Sequence, residues 1–565
     1  MKKILVVALL CLFILPPVLG ADDYHESQLN HGISNSAAYS YLLLEQSREH
    51  TGRSEEILQK ALAYSPDLPA VYFALSRASF SLSGEGILKS VDYIVEGIAA
   101  YSRNFWWSFT LTTSLFFSFI LSFLLSVVIV IAMRLFTDIA LLSHDFTEGN
   151  LHPSILAVFF LISLLGPLFL LAGLLLLLGL YMKRPDKTVV YLFLVFLLCF
   201  PLAVTSASRF VSAYTSGSVR SVVDVNESQD NEYAMTTLQN DTDFVPLFSY
   251  ALALKREGRY EEAIAAYKRL LQTGQYPRVY VNLGNCYVGL GLNDQEHGTD
   301  YLEQAIKEYQ TAVHILPLAS AYYNLSEISR EMLDFTKGDE YFRSAVAVDR
   351  AAVSGYRAFY SRNPNRIVAD ETLPADRLWE FIWQMPYKSL TFGLTRIPPV
   401  VLPAFSLCLL AFFYLAGKRL HRRAYRCRKC GAILCPKCEK GLLWGQMCPQ
   451  CYGSLIKLDE LDAKERVSRL LWIYAKQRRR RTMLKVLSYI LPGSPQILAG
   501  RIVNGFFLLW SFLFFLMVPV TNSLFVPNNT LASHGFFNWA ALYLAAVLFL
   551  VSNYITRKRI SRGWL

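Results

Sequence analysis

The sequence predicts a mostly α-helical integral membrane protein, built of stacked helical hairpins, several membrane helices and a small cysteine-knuckle module. Three observations carry this reading. Apolar runs of about twenty residues recur in a chain that is 53% hydrophobic with mean hydropathy +0.30, a composition suited to a bilayer. Between those runs, small and aromatic residues return at a spacing close to one helical hairpin. Six of the ten cysteines form three Cys-x-x-Cys pairs: Cys427/Cys430, Cys435/Cys438 and Cys448/Cys451.

Residues 1–20 begin with Met1-Lys2-Lys3 and continue into apolar Ile4–Val18, the pattern of a signal peptide or an uncleaved anchor. Either way, the chain after Ala21 is expected to start outside the cytoplasm. Residues 21–104 are polar with helical periodicity. Ser54 to Pro66 reads as the second helix of a hairpin ending at a proline, and Leu68-Pro-Ala-Val starts another. Residues 105–206 hold spans at 106–133, 154–181 and 189–206, with Gly166-Pro167 breaking or kinking the second. Residues 207–243, rich in Ser, Asp, Asn and Thr, are expected as a linker.

Residues 244–397 carry the clearest repeats. Gly258-Arg-Tyr260-Glu-Glu-Ala263 precedes Tyr267; Asn282-Leu283-Gly284-Asn285 precedes Ala305, Tyr309 and Ala312; Asn324-Leu325-Ser326 precedes Gly338, Phe342 and Ala345. Tyr309 to Phe342 and Ala312 to Ala345 are each 33 residues apart. On these residues the segment resembles the tetratricopeptide repeat (TPR) family, and 38–103 resembles it more distantly. The resemblance implies a solenoid whose concave groove binds a protein or peptide partner. Tyr267 to Tyr309 is 42 residues, so an insertion is needed, and polar Asn293–Thr299 is the expected place. Asn285 and Asn324 fall where some TPR clamps hold a peptide carboxylate, although Val281 stands where such a clamp wants Lys.

A further span is expected at 398–417, with Trp379 and Trp383 suiting a membrane interface ahead of it. Residues 418–483 form a basic module: from Lys418 to Arg481 there are 18 Lys/Arg against 5 Asp/Glu, more than the whole-chain excess of +11. Residues 484–565 read as a membrane hairpin, Leu484–Val520 and Phe536–Tyr554, with a basic tail. Leu491-Pro-Gly-Ser-Pro-Gln496, Gly500 and Gly505 resemble a Pro-Gly…Gln…Gly pattern that precedes the membrane hairpin of many small bacterial membrane domains. A plain helix break at the interface is the simpler reading.

A Cys-x-x-Cys turn aims two sulfurs at one point, and two such turns close a tetrahedral thiolate site for zinc. Seventeen residues separate Cys430 from Cys448, within the spacing of such sites. Cys427, Cys430, Cys448 and Cys451 are therefore the best four ligands, and Cys435 and Cys438 are left to a second site or to competition for the first. Cys-Arg-Lys-Cys-Gly and Cys-Pro-x-Cys resemble zinc-ribbon and treble-clef knuckles, but the fourth knuckle of a two-zinc cross-brace is missing. An iron–sulfur cluster is the runner-up, since thiolates alone do not choose the metal. A closed four-thiolate site leaves no position for catalysis. His144, Asp145 and His152 read as polar loop residues. No phosphate-binding loop, HExxH or GxSxG motif is present, so the chain is expected not to be an enzyme.

The positive-inside rule puts Lys183, Arg184, Lys187 and the basic module on the cytoplasmic side. Loop 134–153 then reads as outside, and so does the repeat array. That leaves 106–133 with both ends outside, so one N-terminal apolar segment is expected not to cross simply. The alternative, with every span crossing once, puts the array inside and six thiols in an oxidising compartment. The preferred reading is a bacterial-type inner-membrane scaffold, its array periplasmic and its structural zinc module cytoplasmic, in contact with membrane lipids. Two alternatives stand beside it: a sensor relaying groove occupancy to the zinc module, and a transporter or membrane enzyme. Nucleic acid is set aside as the partner, because the charge adjoins membrane spans.

Overall fold

The computed structural model describes residues 21–147, 157, 160–161, 163–294, 296–360, 367–390, 393–394, 396, 398, 400–419, 424–427, 429–435, 447–455, 463–525 and 534–562. The segment 1–20, His152 and Cys438 lie outside them. Among the described residues the fold is helical apart from one two-stranded sheet. The chain divides into two compact units. Unit 1 comprises Met1–Thr110, Val211–Pro386 and Pro527–Ala532; unit 2 comprises Leu111–Phe210, Tyr387–Val526 and Ser533–Leu565.

Unit 1 is a series of antiparallel helix pairs. Ala37–Glu49 packs on Ser54–Tyr64, and Pro69–Ser79 on Gly84–Arg103. Later in the chain, Phe244–Arg256 packs on Tyr260–Leu271, Pro277–Asn293 on Gly298–Ile315, and Ala319–Glu331 on Phe335–Val348. Local chemistry sets the turns. Gly258 takes φ +77°, letting Arg259 N–H reach back to Leu254 O at 2.9 Å and close the helix. Pro277 opens the next helix, where its missing N–H costs nothing. Ala263, Ala305, Ala312 and Ala345 are fully buried between paired helices, and the Tyr267 and Tyr309 rings fill the spaces between pairs. Gly284 lies under the Tyr309 ring, and a Cβ there would come within 2.6 Å of it.

Two expectations change here. The extra residues between Tyr267 and Tyr309 do not form a loop alone. They lengthen the middle pair to 17 and 18 residues, against 13 and 12 in the first pair. Gly291 and Gly298 let the two long helices touch beside the turn, where a Cβ on Gly298 would lie 2.7 Å from Gly291 O. Residues 207–243 are not a free linker. Gly217–Asn226 is a helix whose Val219, Val222, Val223 and Val225 are fully buried, so its apolar face is core despite the polar composition around it.

Among the described residues, four helices are long and apolar enough to cross a membrane: Phe105–Asp145, Pro185–Thr215, Ile502–Leu524 and Gly535–Ser561, all in unit 2 apart from Phe105–Thr110 and Val211–Thr215. Two shorter apolar helices, Pro167–Gly179 and Leu402–Leu415, pack among them. Phe123 lies at the centre, 5.8 Å from Phe506 and 5.4 Å from Trp510 between ring centroids.

Hydrogen bonds sort the helix ends into two groups. At one end, Ser114 Oγ and Ser118 Oγ lie 2.7 and 2.6 Å from Thr521 Oγ1, Leu390 N–H donates to Ser208 Oγ at 3.0 Å, and Asn522 Nδ2 donates to Asn538 Oδ1 at 2.5 Å. At the other, Asp145 accepts from Tyr181 O–H (2.8 Å) and Ala424 N–H (3.0 Å), and Asp186 Oδ1 accepts from Ile502 N–H at 2.7 Å. Helix Phe105–Thr147 therefore runs from the first end to the second. At 43 residues it is about 65 Å long, twice a hydrocarbon core.

Of the span expected at 154–181, residues 157, 160–161 and 163–181 are described, and this part is interrupted. Both its flanks, Asp145 and Tyr181, lie at the same end. Gly166 (φ +129°) breaks the run before the 13-residue helix Pro167–Gly179. Leu168 N–H donates to Leu394 O at 3.2 Å and Arg396 N–H to Leu165 O at 2.8 Å. Two interrupted segments thus satisfy each other's backbone groups, as irregular backbone at membrane depth must. Residues 134–147, expected as an outside loop, continue the long helix, with Arg134 and Asp138 paired one turn apart. The expected segment Leu484–Val520 is also divided: Ala463–Ile490 and Ile502–Phe525 are separated by a tight turn and the short helix Ser494–Leu498. Gly493 (φ +82°) and Gly505 meet backbone to backbone there; a Cβ on Gly505 would lie 2.6 Å from Gly493 O.

Candidate metal centre and strand-holding groove

The cysteine module is a short hairpin plus a helix start. Strands β1 (Tyr425–Arg426) and β2 (Ile433–Leu434) pair antiparallel. Between them Cys427 N–H donates to Ala432 O at 2.8 Å and Gly431 N–H to Cys427 O at 2.9 Å. Gly431, at φ +76°, makes that turn possible, which is why glycine follows the second cysteine. Cys448 immediately precedes helix Pro449–Leu455, which carries Cys451.

The sulfurs of Cys427, Cys430, Cys448 and Cys451 all lie within 4.8 Å of one another, with Cys430 and Cys448 at 3.6 Å. A tetrahedral zinc with Zn–S about 2.3 Å needs sulfurs about 3.8 Å apart, so the set fits the ion. Backbone N–H groups point at the sulfurs: Cys448 N–H at Cys427 Sγ (3.3 Å), Cys451 N–H at Cys448 Sγ (3.3 Å) and Ala432 N–H at Cys430 Sγ (3.5 Å). Burial raises the Cys427 thiol, but backbone donors outweigh it and hold this thiol down at about 6. Burial pushes Cys448 up to about 11 and Cys451 further up, with neighbouring sulfurs adding to the rise. A bound cation removes that mutual opposition and lets all four serve as thiolates. An iron–sulfur cluster draws on the same donor type. Cys435 is placed elsewhere, buried with Leu141 of the long helix and Ala424 at the base of the hairpin. Asp145, expected as a loop residue, is fully buried and fixes the base of the hairpin through Ala424 N–H. Lys476 Nζ ties the hairpin to helix Ala463–Ile490 through Cys430 O at 2.5 Å.

The second site is the groove of unit 1, and it holds the chain's own segment Ala369–Leu373. Asn324 accepts from Ala369 N–H (2.7 Å) and donates to Ala369 O (2.9 Å). Asn282 does the same for Glu371, at 2.9 and 2.8 Å. Asn226 Oδ1 accepts from Leu373 N–H at 2.7 Å. Alternate residues of an extended strand present their backbone groups to one side, so asparagines on three helices, Ala319–Glu331, Pro277–Asn293 and Gly217–Asn226, read 369, 371 and 373. Asn285 donates to Ala369 O and Asp370 Oδ1, both at 2.9 Å, and is itself oriented by Tyr309 O–H at 2.7 Å.

Charge completes the grip. Lys255 and Arg256, both buried, pair with Asp370. Arg278 Nη1 donates to Glu371 Oε2 (2.7 Å) and Thr372 O (2.8 Å), and Ser320 Oγ to Glu371 Oε1 (2.5 Å). Burial pushes the Glu371 carboxyl upward, and Arg278 and Ser320 partly restrain it. Asn285 and Asn324, proposed from sequence as holders of a peptide carboxylate, here hold backbone and an aspartate of the same chain. Sequence reasoning missed Asn282, Asn226, Lys255, Arg256 and Arg278. One signal was present: Asn282-Leu-Gly and Asn324-Leu-Ser are equivalent positions of successive repeats. Nothing in the composition of 369–373 marks it as a ligand.

A tetratricopeptide-repeat family model matches residues 246–273, which is the pair Phe244–Arg256 and Tyr260–Leu271 with its turn. No curated protein matches the chain.

Proposed function

We propose that the protein is a non-enzymatic membrane scaffold offering different modules on the two faces of a bacterial-type inner membrane. Unit 1 is the periplasmic, strand-holding module. The four-thiolate hairpin is the cytoplasmic one, a structural zinc site that braces the helix ends of unit 2. The sidedness rests on charge. Lys183, Arg184, Lys187, Arg557, Lys558 and the basic module belong to the end of unit 2 that gathers Asp145, Asp186 and Ala424. The chain leaves unit 1 after Thr110 and re-enters it after Phe210.

The observation that carries the scaffold reading is the asparagine ladder. A groove that grips an extended strand by its main chain, with basic residues for two acidic side chains, is built to hold a peptide. The strand in it is tethered, so a partner's acidic strand exchanges with it. This favours a regulated form of the scaffold, in which groove occupancy is what changes.

The test uses full-length protein in detergent and a labelled peptide of sequence 367–374. Asp370→Ala/Glu371→Ala weakens the tethered strand. The variant is expected to bind the peptide and wild type to bind it far more weakly. A variant that keeps its helicity yet binds no peptide would show the strand to be a fixed brace.

A further inference from the structure

A cleft of about 560 Å³ lies in unit 2 between helix Ala463–Ile490 and the last span, Gly535–Ser561. Arg481, Lys485 and Tyr489 line one wall, and Tyr554, Arg557 and Lys558 the other. The spacing explains the wall on each helix: positions four apart share a face, as do positions three and four apart. Among the described residues no carboxylate lines the cleft. Four like charges brought to one concave site repel one another unless an anion joins them. The walls are preorganised. The Arg557 guanidinium sits 4.9 Å from the Tyr489 ring centre across the cleft, and Lys558 5.6 Å from that of Tyr554. The wall on the last span is anchored through Thr556, whose buried Oγ1 accepts from Gln496 Nε2 at 2.7 Å. Gln496 belongs to the Pro-Gly-Ser-Pro-Gln turn, so one role of that motif is to fix this cleft.

The level of the cleft identifies the ligand. Arg557 and Lys558 are in the last turns of a membrane-spanning helix, where the apolar stretch gives way to charge, and tyrosines of this kind mark the headgroup level. Val486 and Ile490 on one helix, and Leu550 and Val551 on the other, are exposed apolar side chains within two turns of the cations. We propose that the cleft binds the phosphates of an anionic phospholipid, with the acyl chains on that apolar surface. Four cations match a lipid carrying two phosphodiesters better than one carrying a single phosphate. Basic clefts between membrane helices on the cytoplasmic side suit such headgroups.

The experiment is native mass spectrometry of the full chain released from nanodiscs of phosphatidylcholine doped with a two-phosphate lipid. Wild type is expected to retain the two-phosphate lipid in preference to phosphatidylcholine. Arg557→Gln/Lys558→Gln is expected to lose about thirtyfold in that preference, the equivalent of ~1 kcal/mol per cation. Arg478→Gln/Arg479→Gln removes the same charge from the facing helix Ala463–Ile490, outside the cleft, and is expected to retain the lipid. The single exposed substitutions Lys485→Gln and Lys558→Gln, checked for helicity, are expected to give intermediate losses. Equal losses in the cleft and control pairs would overturn the site in favour of a diffuse basic surface. Full competition by inorganic phosphate would overturn the lipid as ligand, and so would retention unchanged in every variant.

Discussion

Asn282 holds both backbone groups of Glu371, accepting from its N–H at 2.9 Å and donating to its carbonyl at 2.8 Å. The amide of one side chain thus takes the place that a neighbouring β-strand would occupy. Asn282→Ala orphans a buried N–H and C=O, at about 1–3 kcal/mol per group. Hydrogen exchange at the Glu371 amide is expected to accelerate by roughly tenfold or more, while the amides of helix Pro277–Asn293 stay protected. Unchanged exchange at Glu371 would mean that the acidic side chains alone hold the segment.

The purified protein is expected to contain one zinc per chain, measured by metal analysis against protein concentration. Cys427→Ser and Cys451→Ser open the four-thiolate shell and are expected to lower metal content strongly. Cys435→Ser is expected to leave it unchanged, because Cys435 packs with Leu141 and Ala424 instead. Iron with visible absorption would replace zinc by a cluster on the same ligands. Equal metal loss in all three variants would mean that the pairs share one site.

Burial raises several carboxyls of unit 1, among them Asp224 to about 6, and Glu227 and Glu371 upward. For Asp224, Arg220 and Trp106 pull against that rise without cancelling it. An unfolded aspartate titrates near 4, so between about 4 and about 6 the folded state binds more protons than the unfolded one. Stability is therefore greatest below that window and falls as pH rises through it, by up to ~3 kcal/mol for Asp224. Thermal unfolding followed at the amides of Gly217–Asn226 is expected at a lower temperature at pH 7.5 than at pH 5. Asp224→Asn keeps an acceptor for Trp106, removes the ionisation and is expected to flatten that slope. A slope unchanged in Asp224→Asn would assign it to other groups.

Gly505→Ala sets a methyl group against the backbone of Gly493 and Ile497, with contacts of 2.6 and 2.9 Å to Gly493 O and Ile497 N. Overfilling of this kind costs about 1–3 kcal/mol, and backbone cannot rotate away as a side chain can. The variant is expected to melt earlier in detergent, whereas Gly84→Ala, with nothing within 4 Å, is expected to be neutral or slightly stabilising. Equal melting temperatures would mean that the turn is not tightly packed in solution.

Periodicity made the helical hairpins legible because Ala312, Ala345, Tyr267 and Tyr309 are conspicuous small and large residues at fixed spacing. The four converging cysteines were legible because a Cys-x-x-Cys turn encodes its own geometry. Side-chain bonds across long sequence separations were not. Asp145 to Ala424 spans 279 residues and Asp186 to Ile502 spans 316, and no local pattern announces either. Without them the conflict between the exported N-terminus and the positive-inside rule fell on 106–133. With them, Asp145 and Tyr181, on either side of the segment broken at Gly166-Pro167, share one end. The self-held strand was hidden for a different reason: Ala369–Leu373 is short, has no repeat, and is bound through backbone atoms that every residue carries.

Sidedness decides what either module can meet. Leu82→Cys places a thiol at a side chain that is 92% exposed in unit 1, and Arg480→Cys places one on the exposed face of helix Ala463–Ile490. Intact spheroplasts are treated with a membrane-impermeant maleimide polymer, and the added mass is read against the native cysteines. The account predicts labelling of Leu82→Cys in intact spheroplasts, and of Arg480→Cys only after permeabilisation. Labelling of Arg480→Cys from outside with Leu82→Cys protected would contradict it, placing the strand-holding groove in the cytoplasm and the four thiolates outside.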